Sequence, residues 1–141
     1  MKPSLFASAA VALLAAASAP ASAFDLRVEV LNARSNDGFV AAAVYEGAAG
    51  WLKVGEAVQL GRVAVAAEKA VLLFANLPPG RYAVSVFHDE NGNGKLDTNV
   101  VGIPTERHGF SRGARGQIGP PGFADAAVEL GADTTITIQL Q

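Results

Sequence analysis

The chain has 141 residues and a formal charge of −2, and 50% of its residues are hydrophobic, which suits one ordinary folded domain. With neither a basic patch nor an acidic block along it, nucleic acid is not an expected partner. It has no cysteine, which excludes disulfide staples and attachment to lipid through an N-terminal cysteine.

The N-terminus reads "MKPSLFASAAVALLAAASAPASAFDL". Lys2 gives a short positive region, Leu5 to Ala17 an apolar run, and Ala21-Ser22-Ala23 the small residues that a signal peptidase accepts. Residues 1–23 are therefore expected to be a signal peptide, cleaved after Ala23, with one domain over 24–141. The apolar run is too short to span a bilayer comfortably and no stop-transfer pattern follows, so the expected location is periplasmic or secreted, not integral to a membrane. Cleavage removes Lys2 and no acid, leaving the chain one unit more negative. An exported domain without disulfides gains from any bound ion that favours the native state.

Strand signals dominate the rest. In "FDLRVEVLNA" Leu26, Val28 and Val30 share one face and Arg27 and Glu29 the other, the pattern of a half-buried strand. "GFVAAAVYEG" follows the turn signal "SNDG" and is expected to pair with the first strand as a hairpin. "AAGWLKVGEAVQ" reads as a loop with a short helix, Trp51 folding onto the sheet edge. "GRVAVAAE", "KAVLLFANL" and "RYAVSVFH" follow as strands, and after a long loop "ADAAVEL" and "TTITIQL" close the chain. Seven short strands without a long amphipathic helix predict an all-β fold, an antiparallel seven-stranded β-sandwich of immunoglobulin-like or transthyretin-like shape. In "LPPGRY" the turn residues Pro79 and Gly80 place Tyr82 where a tyrosine corner would return its hydroxyl to upstream backbone.

The segment from Asp89 to Phe123 is rich in glycine and proline and too long for an idle connection, so it is read as the functional end of the sandwich. It opens with Asp89-x-Asn91-x-Asn93-Gly94-x-x-Asp97. That spacing matches the oxygen ligands of a calcium loop, with the Lys95 carbonyl at the backbone position. Position twelve is Val100, not a bidentate glutamate, and no helix follows, so this is not an EF-hand. Glu106 is a candidate for the missing carboxylate. Such a set would hold calcium weakly, with a dissociation constant on the order of 10⁻⁴ to 10⁻³ M. Asn91-Gly92 and Asn93-Gly94 are also strong turn dipeptides that need no ion.

Other residues suggest chemistry less well. Gly109-Phe110-Ser111-Arg112-Gly113 fits the G-x-S-x-G nucleophile pattern beside His108, but "GARGQIGPPG" cannot supply the helix that such an elbow requires. His88 and His108, with Asp89 or Glu106, are too few and too far apart to specify a transition-metal site. Arg107, Arg112 and Arg115 stand among glycines where they could cradle an anion. The simpler expectation is that they pair with Glu106, Asp97 or Asp125 and tie the loop down.

Three blocks, "LPPGRYAVSVFHDENGNGKLDTN", "GIPTERHGFS" and "GPPGFADAAVEL", together resemble the exported bacterial proteins of domain-of-unknown-function family 2141. The resemblance spans nearly all of 24–141 and is strongest over residues 77 to 128. It implies a signal peptide and a small β-sandwich but no known activity. The family's hallmark positions fall here on His88, Asp89, Asn91, Asn93, Gly94, Asp97, Gly102, Pro104, Glu106, Gly109, Phe110 and Ser111. Arg107-His108 and Arg112-Gly113 depart from the residues common there, which weakens the elbow and histidine readings. "LPPGRYAVSV" is also similar to collagen-adhesin B-type and carboxypeptidase-regulatory-like domains, an analogy that supports the sandwich.

The expectation is an exported, non-catalytic binding or accessory module. Calcium held by Asp89, Asn91, Asn93, Lys95, Asp97 and Glu106 would order a loop that meets a protein or glycan partner. The alternatives are a small hydrolase or metal enzyme built on the 88–111 segment, and a purely structural envelope protein.

Overall fold

A computed structural model describes residues 22–141. The expected signal peptide lies outside the described residues except for Ser22 and Ala23.

Eight strands form two packed sheets. The first holds β4 (Ala70–Leu77), β1 (Phe24–Leu31) and β8 (Thr134–Gln139), with β1 in the middle. The second runs β3 (Gln59–Ala64), β2 (Phe39–Tyr45), β5 (Gly80–Asp89), β6 (His108–Phe110), and β7 (Val128–Leu130) also pairs with β5. The alternation in the sequence sets which face is buried. Leu26, Val28 and Val30 of β1, Leu72 and Phe74 of β4 and Ile138 of β8 meet Val40, Val44, Val84 and Val86 of β2 and β5, all at most 2% exposed. Each such side chain contributes roughly 1.5–3 kcal/mol on burial.

Two features depart from the expected all-antiparallel, seven-stranded sandwich. β6 is an additional strand of three residues, pairing Ser85 to Phe87 with Phe110 to His108, and it shortens what reads in the sequence as one long loop. β1 and β8 run parallel, in register from Leu26 with Thr134 to Leu31 with Gln139. The other strand pairs are antiparallel.

The hairpin expected between the first two strands is not formed. β1 pairs with β4 and β8, and β2 with β3 and β5. The "SNDG" segment instead arcs from one sheet to the other. Asn32 and Gly38 at its ends turn it with left-handed φ of 69° and 68°. His88, fully buried at the end of β5, holds the arc: its Nδ1 accepts the Arg34 N–H at 3.3 Å, and its Nε2–H donates to the Asp37 carbonyl at 2.6 Å.

The tyrosine corner is present, with the Tyr82 hydroxyl donating to the Pro78 carbonyl at 2.5 Å. Burial, reinforced by the Glu46 charge, raises this phenol above its ordinary pKa of 10.0. The segment around Trp51 carries a short 3₁₀ turn, Val54–Glu56. The Trp51 ring packs on Tyr45, Phe110 and Phe123 with centroids 5.2, 5.9 and 6.0 Å away. Its Nε1–H donates to the Pro121 carbonyl at 2.8 Å, which ties the Gly/Pro-rich segment to the edge near β6.

Candidate functional site: the loop after the fifth strand

β5 runs directly into the loop, so its first ligand-type side chain sits on a rigid strand end. Asp89 is 1% exposed and turns back over the following residues: its Oδ1 accepts the Asn93 N–H at 3.1 Å and its Oδ2 the Gly94 N–H at 2.8 Å. Asn91 Oδ1 accepts the same Asn93 N–H at 3.2 Å, and Asn93 Oδ1 accepts the Lys95 N–H at 3.0 Å. These successive side-chain turns coil the chain tightly. Gly92 and Gly94, at φ 68° and 79°, occupy the left-handed positions that the coil needs.

The coil closes on Asp97. Asn91 Nδ2 donates to its Oδ2 at 2.6 Å and Asn93 Nδ2 to its Oδ1 at 2.7 Å. The amide of Asn93 first and that of Asn91 next favour the ionised form and lower the Asp97 pKa from its ordinary 3.8. The chain then makes a small hairpin. Thr98 bridges Pro104, the Asn99 side chain accepts the Val101 and Ile103 N–H groups at 3.0 Å each, and the Thr105 N–H donates to the Asp97 carbonyl at 2.8 Å.

This return delivers Glu106. Only 7% exposed, it accepts the Asp97 N–H at Oε1 (2.9 Å) and the Glu90 N–H at Oε2 (2.8 Å), closing both ends of the loop with one carboxylate. Arg34 buttresses the base, donating from Nη2 to the Thr105 carbonyl at 2.7 Å, with its Nε 3.2 Å from Glu90 Oε1.

Asp89, Asn91, Asn93, Asp97 and Glu106 are thus gathered into one loop, as their spacing suggests. Lys95 joins them through its N–H, and no donor among the described residues reaches its carbonyl. The set fits a weak site for a hard cation in part. Two carboxylates and an uncommitted carbonyl are at hand, but Asn91 and Asn93 turn their amide nitrogens, not their oxygens, toward Asp97. A cation there must displace those two donors. Glu106 spends one lone pair of each oxygen on backbone N–H groups and acts first as a clasp.

The residues read as possible catalysts sit differently. A strand does precede Ser111, but only a 3₁₀ turn, Ser111–Gly113, follows it. The fully buried hydroxyl donates to the Ala126 carbonyl at 2.5 Å and accepts the Val84 N–H at 2.9 Å. It therefore bridges β5 to the short helix α1 (Phe123–Ala126) instead of facing a substrate. Both ring nitrogens of His88 are engaged by the 34–37 arc, and the His108 ring stacks edge-on against Phe110 at 6.0 Å.

Among the described residues Arg107, Arg112 and Arg115 form no ion pair with Glu106, Asp97 or Asp125, contrary to the simpler expectation. Glu106 and Asp97 are already taken by N–H donors of the loop. Sequence reading also missed the hairpin tip, where Val100, Val101 and Ile103 are 104%, 73% and 59% exposed. The signal was present as "NVVGI", aliphatic residues inside a turn-rich stretch.

Residues 28–139 match a family described as an uncharacterized protein conserved in bacteria (DUF2141). Comparison with the curated proteins and with the solved structures finds no match.

Proposed function

We propose a binding role for this chain, which belongs to the uncharacterized bacterial family DUF2141. It is an exported, non-catalytic module, periplasmic or secreted, whose 89–106 loop takes calcium weakly and presents the neighbouring hairpin tip to a protein or glycan. The observation that carries this reading is the gathering of Asp89 and Asp97 on one backbone-clamped loop, beside a Lys95 carbonyl that no donor among the described residues reaches. Hard cations of flexible coordination favour such oxygen sets. The Asn93 and Asn91 amides lower the Asp97 pKa, which favours its charged form. The leader-like residues 1–23 support export.

Thermal unfolding of residues 24–141 in chelator, then in calcium or magnesium, tests the reading. With a dissociation constant of about 1 mM, about 10 mM calcium adds roughly 1.4 kcal/mol, a rise of about 4 °C in Tm for a domain of this size. The rise should be absent in Asp97→Asn. No shift with calcium, or the same shift in that variant, overturns the ion.

One observation favours a second reading, a loop that is purely structural. Every carboxylate oxygen of Asp89, Asp97 and Glu106 already accepts a hydrogen bond from within the loop. On that reading the melting temperature is indifferent to calcium.

A further inference from the structure

The outward face of a strand in an antiparallel sandwich ordinarily meets water and carries polar residues. β8 follows this rule, with Thr135, Thr137 and Gln139 exposed. β3 and β4 do not. Their outward positions are Leu60, Arg62 and Ala64 on β3 and Val71, Leu73 and Ala75 on β4. Leu60, Leu73 and Val71 are 62%, 61% and 41% exposed.

These positions form one surface although the strands lie in different sheets. The chain turns between them at Ala66 and Lys69, whose main chains exchange two hydrogen bonds of 3.0 Å. At the far end Gln59 Nε2 donates to the Ala75 carbonyl at 2.8 Å. Between these ties a Cβ on Gly61 would meet Leu72 at 2.9 Å and Phe74 at 3.1 Å, so these three positions face inward and their neighbours outward. Ala64 thus lies beside Val71, Arg62 beside Leu73 and Leu60 beside Ala75. Val58, 40% exposed, continues the patch from Leu60. Arg62 is the one charged residue of the two strands. Its guanidinium lies 3.7 Å from the centre of the Phe39 ring on β2, the side away from β4, which draws the charge off the aliphatic seam.

We propose that this face pairs two copies of the chain about a two-fold axis. Val58, Leu60, Val71 and Leu73 with the flanking alanines leave roughly 400 Å² of apolar surface in one patch, the size at which such a patch commonly serves an interface. A standard interface takes about 800 Å² from each partner, a little over half of it non-polar, so one such face on each copy meets the requirement. Charge favours a copy over an unrelated partner. Along the rim Arg27 pairs in register with Leu73 and Glu29 with Val71, and the two charges lie 3.4 Å apart on the exposed side of β1. A rim with both signs on adjacent positions is self-complementary: a two-fold axis beside Leu73 sets Arg27 of each copy against Glu29 of the other, as an isologous interface requires.

Sedimentation velocity of residues 24–141 in chelator, from about 1 to 300 µM, tests it over the range where an interface of this size is expected to form. The chelator keeps any ion in the 89–106 loop out of the result. The mass should rise from one chain to two with concentration. Leu73 is exposed, so Leu73→Lys should melt as the parent does and dimerise about tenfold more weakly or worse, as expected for a charge placed in an apolar interface core. Arg27→Glu, which sets like charges across the axis, should weaken the dimer as well, and adding Glu29→Arg should restore it. Val101→Lys, at the hairpin tip, should leave it unchanged. A monomer throughout overturns the proposal, and if that monomer floats with phosphatidylglycerol vesicles while Leu73→Lys does not, the occupant is a lipid surface. A dimer that survives Leu73→Lys, that is lost in Val101→Lys, or that the double charge exchange fails to restore overturns it too.

Discussion

Replacing Ser111 by alanine separates a structural hydroxyl from a chemical one. The side chain is fully buried, and its oxygen serves two main-chain groups at once, the Val84 N–H at 2.9 Å and the Ala126 carbonyl at 2.5 Å. Alanine leaves a donor and an acceptor without partners in a place that water does not reach. Each orphaned group costs about 1–3 kcal/mol, and partial relaxation of the four-residue α1 offsets some of this, so the net loss should be about 3 kcal/mol. For a domain of this size that lowers Tm by about 10 °C. In urea the midpoint should fall by about 2 M with the m-value unchanged. Chemical denaturation followed by Trp51 fluorescence reads this directly, because Trp51 packs on Phe123 of α1 and on Phe110 beside Ser111. A loss below about 0.5 kcal/mol would refute the bridging role and reopen the question of what that hydroxyl does.

Two further outcomes follow from the same geometry. At Gly38, with φ at +68°, a Cβ would lie 2.0 Å from the Asp89 carbonyl oxygen and 2.7 Å from that of Glu90. Gly38→Ala should therefore cost on the order of 3 kcal/mol or more; Gly94→Ala, left-handed but in open space, should cost only about 1 kcal/mol, and equal losses in urea titrations would contradict the assignment of the clash. The Asp97 pKa is lowered relative to the unfolded chain, so its contribution to loop order is present above the ordinary value of 3.8 and is lost as pH falls through the lower, folded value. A carboxyl ¹³C titration should place its midpoint below 3.8 and move it up in Asn91→Ala with Asn93→Ala, whereas a parent midpoint at or above 3.8 would count against the two amide contacts.

Strand positions were legible because burial follows side-chain alternation, and alternation is local. Leu26, Val28 and Val30 announce both their strand and their buried face, as Ile136, Ile138 and Leu140 do at the other end. Pairing is not local. "SNDG" has the composition of a hairpin turn, yet the buried His88 takes hold of that segment and carries it across to the second sheet, a partnership between residues 54 positions apart. β6 escaped because three residues flanked by turns show no periodicity, and its central Gly109 has no side chain to reveal a face. The loop was legible as a run of side-chain turns, since Asx turns act over two to five residues. The roles within it depend on the hairpin at 98–104, which decides that Glu106 returns to clasp backbone N–H groups.

The parallel pairing of β1 with β8 has a consequence for the order in which the molecule is made. The central strand of the smaller sheet obtains its second neighbour only from β8, a contact 108 residues distant between Leu26 and Thr134. Closing so long a loop costs little more at equilibrium than closing one half as long, about 0.6 kcal/mol, but contacts of this separation form late and slow the search. Until β8 is available, β1 presents an open edge able to accept a strand from another chain. A nascent or truncated chain lacking β8 is thus the species most exposed to misassembly, and β8 completes the sheet and removes that opportunity in one step.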